Sequence, residues 1–224
     1  MSKNNFKSAA AIVPAYNEEK TIGQVVKVLV ASNRFSDIIV ISDGSTDRTA
    51  EMARNAGATV THQFPINRGK GAALQHGVGH TDAEILFFCD ADLIGFTPEH
   101  VNAILDPVVQ GALAMNVGLR DRGSLITALM RYLPLIGGER ALRRQVFEKI
   151  QDRHLRGFMV ESALNYYCRS RKLPYGTVVE TGLTMRKKMQ KVGVWRGLAQ
   201  YMGMTMQVIK AMLIVRVDRL FGRF

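Results

Sequence analysis

At 224 residues the chain sits at the upper end of one α/β domain, and no Pro/Gly/Ser-rich linker, low-complexity tract or repeat divides it. Charge is uneven: residues 1–118 carry 9 Lys and Arg against 12 Asp and Glu, whereas residues 119–224 carry 21 against 7. A net +11 concentrated in the second half favours anionic partners, and two cysteines without zinc-type Cys/His spacing or a signal-peptide pattern favour a reducing cytosol.

In chain order, residues 8–13 and 37–42 read as strands around a helix near 18–32, whose Ile22, Val25, Val26 and Leu29 recur at helical spacing. Next come a helix near 46–56, a strand near 58–62, a helix near 69–79, a strand over 84–89, a helix over 98–109 and a strand over 112–118. Strands separated by helices predict a mostly parallel, layered sheet of Rossmann type with helices on both faces. Helices near 124–132, 143–152 and 160–171 and a strand near 174–180 follow. We expect one domain over 1–198 and an amphipathic basic helix over 199–224.

The run Ile85 to Asp92 is apolar until it stops in two carboxylates one residue apart. Ligands of open α/β sheets gather beyond the carboxyl ends of such strands. If the chain is still extended there, Asp90 and Asp92 face the same way and can share one hard cation, Mg²⁺ or Mn²⁺, able to bridge a diphosphate. Taken alone, the pair also reads as a polar turn whose acids cap the helix suggested by Thr97, Pro98 and Glu99.

Three further loops line up at the same sheet edge. In Pro14-Ala15-Tyr16-Asn17-Glu18-Glu19 the proline stops the ladder, Asn17 can cap a helix and Tyr16 offers a flat face to a base. In Ser42-Asp43-Gly44-Ser45-Thr46-Asp47, Gly44 allows close backbone approach and Asp43 can accept hydrogen bonds from a base or ribose. Each also reads as an ordinary capped helix start. Asn67-Arg68-Gly69-Lys70-Gly71 offers backbone amides and cations to phosphates, although it is not a P-loop, since no Ser or Thr follows Lys70.

Together, in this order and spacing, these motifs resemble the family-2 glycosyltransferases of GT-A fold. The resemblance implies a donor site formed by Pro14, Ala15, Tyr16, Glu18, Asp43, Lys70 and Asp90, with Asp92 on the metal, joined by Asp90. The second half, through Val117-Gly118-Leu119-Arg120, Gly137 to Arg144 and Gly157 to Glu161, resembles the glucosyl-3-phosphoglycerate synthases, and its layout is similar to that of polyprenyl-phosphate sugar synthases. Both subgroups use phosphorylated acceptors. The amides of Gly137 and Gly138 and the guanidinium groups of Arg140, Arg143 and Arg144 are therefore acceptor candidates.

Glu161, or else Asp121, can serve as general base toward a hydroxyl acceptor, while a phosphate oxygen would need only positioning and charge neutralisation. The synthases' late metal-binding histidine has no counterpart in Gly182 to Lys188, where Arg186 and Lys187 can instead neutralise a leaving diphosphate. Residues 199–224 mix apolar and basic side chains, with Lys210 and Arg216 breaking the run below the roughly 20 apolar residues of a membrane span. Such a segment suits a membrane interface at the inner face of the cytoplasmic membrane, packing on the domain, or contact with a second copy. The expected activity is metal-dependent sugar transfer from a nucleoside-diphosphate sugar. The rival readings are a nucleotidyltransferase of related fold and a non-catalytic basic module binding nucleic acid.

Overall fold

The computed structural model describes residues 8–121, 137–155 and 159–185. The expected helix near 124–132, Gly157, Arg186, Lys187 and the 199–224 extension lie outside the described residues.

Four parallel strands form the first half of a seven-stranded sheet: β1 (Ala9–Ala15), β2 (Asp37–Ser42), β3 (Val60–Gln63) and β4 (Ile85–Phe88). β6 (Met115–Arg120) and β8 (Tyr175–Glu180) run in the same sense, and β7 (Arg140–Arg143) runs against its neighbours β4 and β6. The order is β3-β2-β1-β4-β7-β6-β8. A separate antiparallel pair joins β5 (Leu93–Ile94) to β9 (Thr184–Met185), tying the chain just after Asp92 to residues near the end of the described segment.

The central strands are apolar throughout because both faces are covered. On one face, Val13, Val40 and Phe87 meet α1 (Ile22–Ala31), α2 (Thr49–Asn55) and α4 (Pro98–Val109), through Val25, Leu29, Ala53, Val101 and Ile104. On the other, Ile12, Ile41 and Leu86 meet α3 (Lys70–Val78), α5 (Arg144–Glu148) and α6 (Met159–Ser170), through Leu74, Phe147 and Leu164. Both cysteines are buried thiols inside these layers.

Two local solutions position the site. Pro107 lies inside α4 and donates no hydrogen bond to the carbonyl of Ala103; the Asn116 Nδ2 of β6 donates to Ala103 O at 3.2 Å and to Ile104 O at 3.0 Å. That side-chain amide fixes β6 beneath α4. At the start of α4, the Thr97 amide donates to His100 Nδ1 at 3.1 Å and Pro98 takes the first helical position. The helix is therefore capped without Asp90 or Asp92, against the capping role that the polar-turn reading gave that pair.

The helix expected near 143–152 is corrected. Residues 140–143 form β7, and only Arg144–Glu148 is α-helical before a short 3₁₀ turn at Asp152–His154. A segment with an arginine at each end becomes a central strand because Arg140, 1% exposed, finds its partners inside the protein.

Candidate active site

The six co-directional strands end at one edge, and the first three sequence loops sit on it laced to one another. Asn17, at φ 55°, donates from its amide to Ser45 Oγ (3.1 Å) and accepts at Oδ1 from the Thr46 amide (2.9 Å). The Glu18 amide donates to Thr49 Oγ1 at 2.8 Å. Asp43, 4% exposed, accepts from the amides of Arg68 (2.7 Å) and Gly69 (2.8 Å), so its carboxylate anchors the third loop at the start of α3. Gly44 lets the loops close up: at φ 73° a side chain is strained, and a Cβ would strike the backbone of Ile66 and Asn67. Pro14 and the buried Ala15 carry the chain to Tyr16, whose ring is half exposed above this surface.

Lys70 is the hub. Its Nζ lies 2.7 Å from Asp90 Oδ1 and 2.7 Å from Glu161 Oε1, joining the end of β4 to the first turn of α6. Burial opposes its charge, but the two carboxylates outweigh that and hold the ammonium protonated. Burial likewise works against the Asp90 anion, and Lys70 overcomes it, so the carboxyl stays ionised. Arg120, at the end of β6, reaches Asp90 Oδ2 at 3.5 Å and Glu139 Oε1 at 2.8 Å. Arg140 holds Glu161 from below, with its guanidinium 3.9 Å from Oε2 and a hydrogen bond to the Glu161 carbonyl at 3.4 Å.

Two further carboxyls are buried beside this network. Glu139 is fully buried, and burial, reinforced by Asp90, pushes it up to about 7 despite Arg120. Glu180, at the end of β8, is 1% exposed; burial and then Glu139 push it up to about 8. Among the described residues neither Glu180 oxygen has a hydrogen-bond partner. Both carboxyls therefore keep their protons to higher pH than an ordinary glutamate, beside the three cations Lys70, Arg120 and Arg140.

The acid pair is arranged differently from the strand extrapolation. β4 ends at Phe88, and Ala91 and Asp92 form a turn, so strand alternation does not extend through them. Asp90 is gripped by Lys70 and Arg120, while Asp92, 9% exposed, follows in the turn that leads into β5. Among the described residues no third His, Cys, Asp or Glu groups with Asp90 and Asp92 as a ligand set. Such a sparse oxygen donor set fits Mg²⁺ or Mn²⁺ that draws its other ligands from substrate phosphates and water.

The acceptor candidates separate. Gly137 and Gly138 cross the site, and a Cβ on Gly138 would overlap the Asp90 carboxylate, so this glycine permits close packing over Asp90. Arg140 is built into the cluster. Arg143 and Arg144 are not brought to it: β7 runs away from the site, Arg143 bonds Gly111 O at 2.8 Å, and Arg144 Nε bonds Ala83 O at 2.7 Å before β4. Their guanidinium groups satisfy loop carbonyls at the opposite sheet edge. Asp121, exposed just past β6, donates its amide to Glu180 O at 3.2 Å.

Arg120, Glu139 and Glu180 were not singled out from sequence as site residues. Arg120 and Glu180 end parallel strands, as the apolar run does before Asp90, and that position was their available signal. Glu139 lies within the Gly137 to Arg144 stretch that carries the resemblance, but nothing local to it marks its carboxyl as a site group.

The profile of Glycosyl transferase family 2 matches residues 10–166. The 4,4'-diaponeurosporenoate glycosyltransferase of Staphylococcus aureus (strain bovine RF122 / ET3-1) is 37% identical over 106 residues, covering 46% of this chain and 28% of that protein. The chain therefore spans well under half the length of that relative. Among solved structures, glucosyl-3-phosphoglycerate synthase from Mycobacterium tuberculosis in complex with phosphoglyceric acid superposes with a TM-score of 0.77 at 25% identity, covering 93% of this chain and 80% of that one. The same enzyme with Mn²⁺, uridine-diphosphate-glucose and phosphoglyceric acid gives 0.76 at 26% identity, covering 93% and 79%. With the layered sheet, the interlocked loops and the profile match across most of its length, the chain belongs to glycosyl transferase family 2.

Proposed function

We propose that the chain transfers a sugar from a nucleoside-diphosphate sugar, held with Mg²⁺ or Mn²⁺, to a phosphate-bearing acceptor. The observation that carries this reading is Lys70, whose ammonium joins the donor-side Asp90 to Glu161 on α6. Tyr16 and the loop anchored by Asp43 bind the nucleoside, and Asp92, with Asp90 beside it, holds the cation. The bound cation supplies neutralisation of the diphosphate charge. In the transfer, the bond from the anomeric carbon to the diphosphate oxygen breaks and a bond to an acceptor oxygen forms, with the nucleoside diphosphate as leaving group.

A phosphate acceptor is favoured by the state of Glu161, whose carboxylate is held between Lys70 and Arg140. An anionic phosphate oxygen needs no base, so Glu161 positions cations while Lys70 orients Asp90 toward the sugar. The excess of basic side chains in residues 119–224 supports the same choice, and it suits a cytoplasmic enzyme able to meet phosphate headgroups at the membrane face, with 199–224 as its amphipathic extension. No helix among the described residues is long and apolar enough to cross a membrane. The nucleotidyltransferase reading is disfavoured by a first loop without glycine, and the nucleic-acid module by a buried network it does not need.

The test is a transfer assay with UDP-glucose and Mn²⁺ against phosphoglyceric acid, a polyprenyl phosphate, and their dephosphorylated counterparts. Transfer confined to phosphorylated acceptors is the expected result. Equal or better transfer to the dephosphorylated compounds would overturn the acceptor assignment and return Glu161 or Asp121 to the role of base.

A further inference from the structure

Folding assembles a second ligand set that linear spacing does not reveal. His76 lies in the last turn of α3, His80 follows four residues later, and His62 comes from β3, the edge strand of the sheet. The His62 and His76 ring centroids are 4.4 Å apart and those of His76 and His80 4.8 Å apart. The Nε2 atoms of His76 and His80 approach to 3.1 Å, and one ring nitrogen from each of the three histidines lies within 4.8 Å of the others. Imidazole nitrogens sharing a tetrahedral zinc at about 2.0–2.1 Å stand roughly 3.3 Å apart, so small side-chain rotations close the set.

The surroundings favour the neutral ligand form. Burial lowers the His76 pKa, and His62, His80 and Arg68 lower it further. Three imidazoles so close repel when protonated, whereas one divalent ion can use a lone pair from each. Imidazole also selects by chemistry: Zn²⁺, Ni²⁺ and Cu²⁺ prefer it, while Mg²⁺ prefers carboxylate and phosphate oxygen. The set is thus distinct from the acidic donor site. His76 stands six residues along α3 from Lys70, about 9 Å at 1.5 Å per residue.

We propose that His62, His76 and His80 bind one borderline transition-metal ion, Zn²⁺ foremost, with water in the remaining position. The ion clips edge strand β3 to α3, the helix that begins at Lys70. Phe64, which packs against His62 and His76 and carries the Arg68 guanidinium 4.9 Å from its ring centre, connects this clip to the donor loop.

Tag-free protein stripped with chelator is titrated with Zn²⁺ by calorimetry in millimolar Mg²⁺, and retained metal is counted by elemental analysis. The expected result is one Zn²⁺ per chain, a rise in thermal midpoint with added Zn²⁺, and a Co²⁺ derivative with the intense visible bands of tetrahedral geometry. His62→Gln and His76→Gln, each checked for folding by circular dichroism, are expected to weaken Zn²⁺ binding at least tenfold, and Asp92→Asn to leave it unchanged. Absence of saturable binding, equal affinity in the folded His76→Gln protein, or loss of binding in Asp92→Asn would each overturn the site.

Discussion

Replacing Glu180 with Gln isolates the electrostatic strain held beneath the site. In the native fold this carboxyl is 1% exposed, its oxygens have no hydrogen-bond partner among the described residues, and its pKa is pushed up to about 8 from an ordinary 4.5. Between those values the folded state keeps a proton that the unfolded chain releases. The sign follows: the stability is fully present below about pH 4.5 and drains away as pH rises through about 8. At about 1.4 kcal/mol per unit, the shift corresponds to a loss on the order of 4–5 kcal/mol at pH 9. Glutamine is nearly isosteric and never ionises, so its advantage over the native protein should be small at pH 4.5, grow with pH, and level off above 8. Urea unfolding followed by circular dichroism from pH 5 to 9, with the slope m checked for constancy, measures it. Parallel stability curves for the two proteins would refute the assignment of a buried, unpartnered Glu180.

Lys70→Met removes the cation shared by two largely buried carboxylates, and we expect a stability loss of about 3–5 kcal/mol by urea unfolding together with lost nucleotide-sugar binding. Gly138→Ala drives a methyl group into Asp90, with an expected cost of about 1–3 kcal/mol and weakened donor affinity by calorimetry. Arg144→Ala deletes hydrogen bonds to Thr81 and Ala83 at the opposite edge, so it should lower the thermal midpoint while leaving donor affinity and acceptor KM unchanged.

Elements whose burial is local in sequence were legible. The 85–88 strand is apolar on both faces, and α4 announces itself through Thr97, Pro98 and the spacing of Val101, Ile104, Leu105 and Val108. β7 was not, because Arg140 and Arg143 are tolerated in a central strand only through partners distant in the chain: Glu161 for one, Gly111 for the other. The same non-locality hid the site's wiring. Motif order placed Lys70 near the donor, but the Glu161 carboxylate that it joins to Asp90 lies 91 residues further along the sequence from Lys70. Asp43 was legible as a site residue, yet its present partners are the amides of the third loop, which only the packed structure supplies.

The most direct measurement is calorimetric titration of the full chain with UDP-, GDP-, CDP- and dTDP-sugars, with and without Mg²⁺ or Mn²⁺, for the native protein and Asp92→Ala. The expected result is saturable binding of one nucleotide series that requires the metal and is lost in the folded Asp92→Ala protein. Binding of none, or metal-independent binding untouched by the substitution, would contradict a cation-assisted donor site at the end of β4.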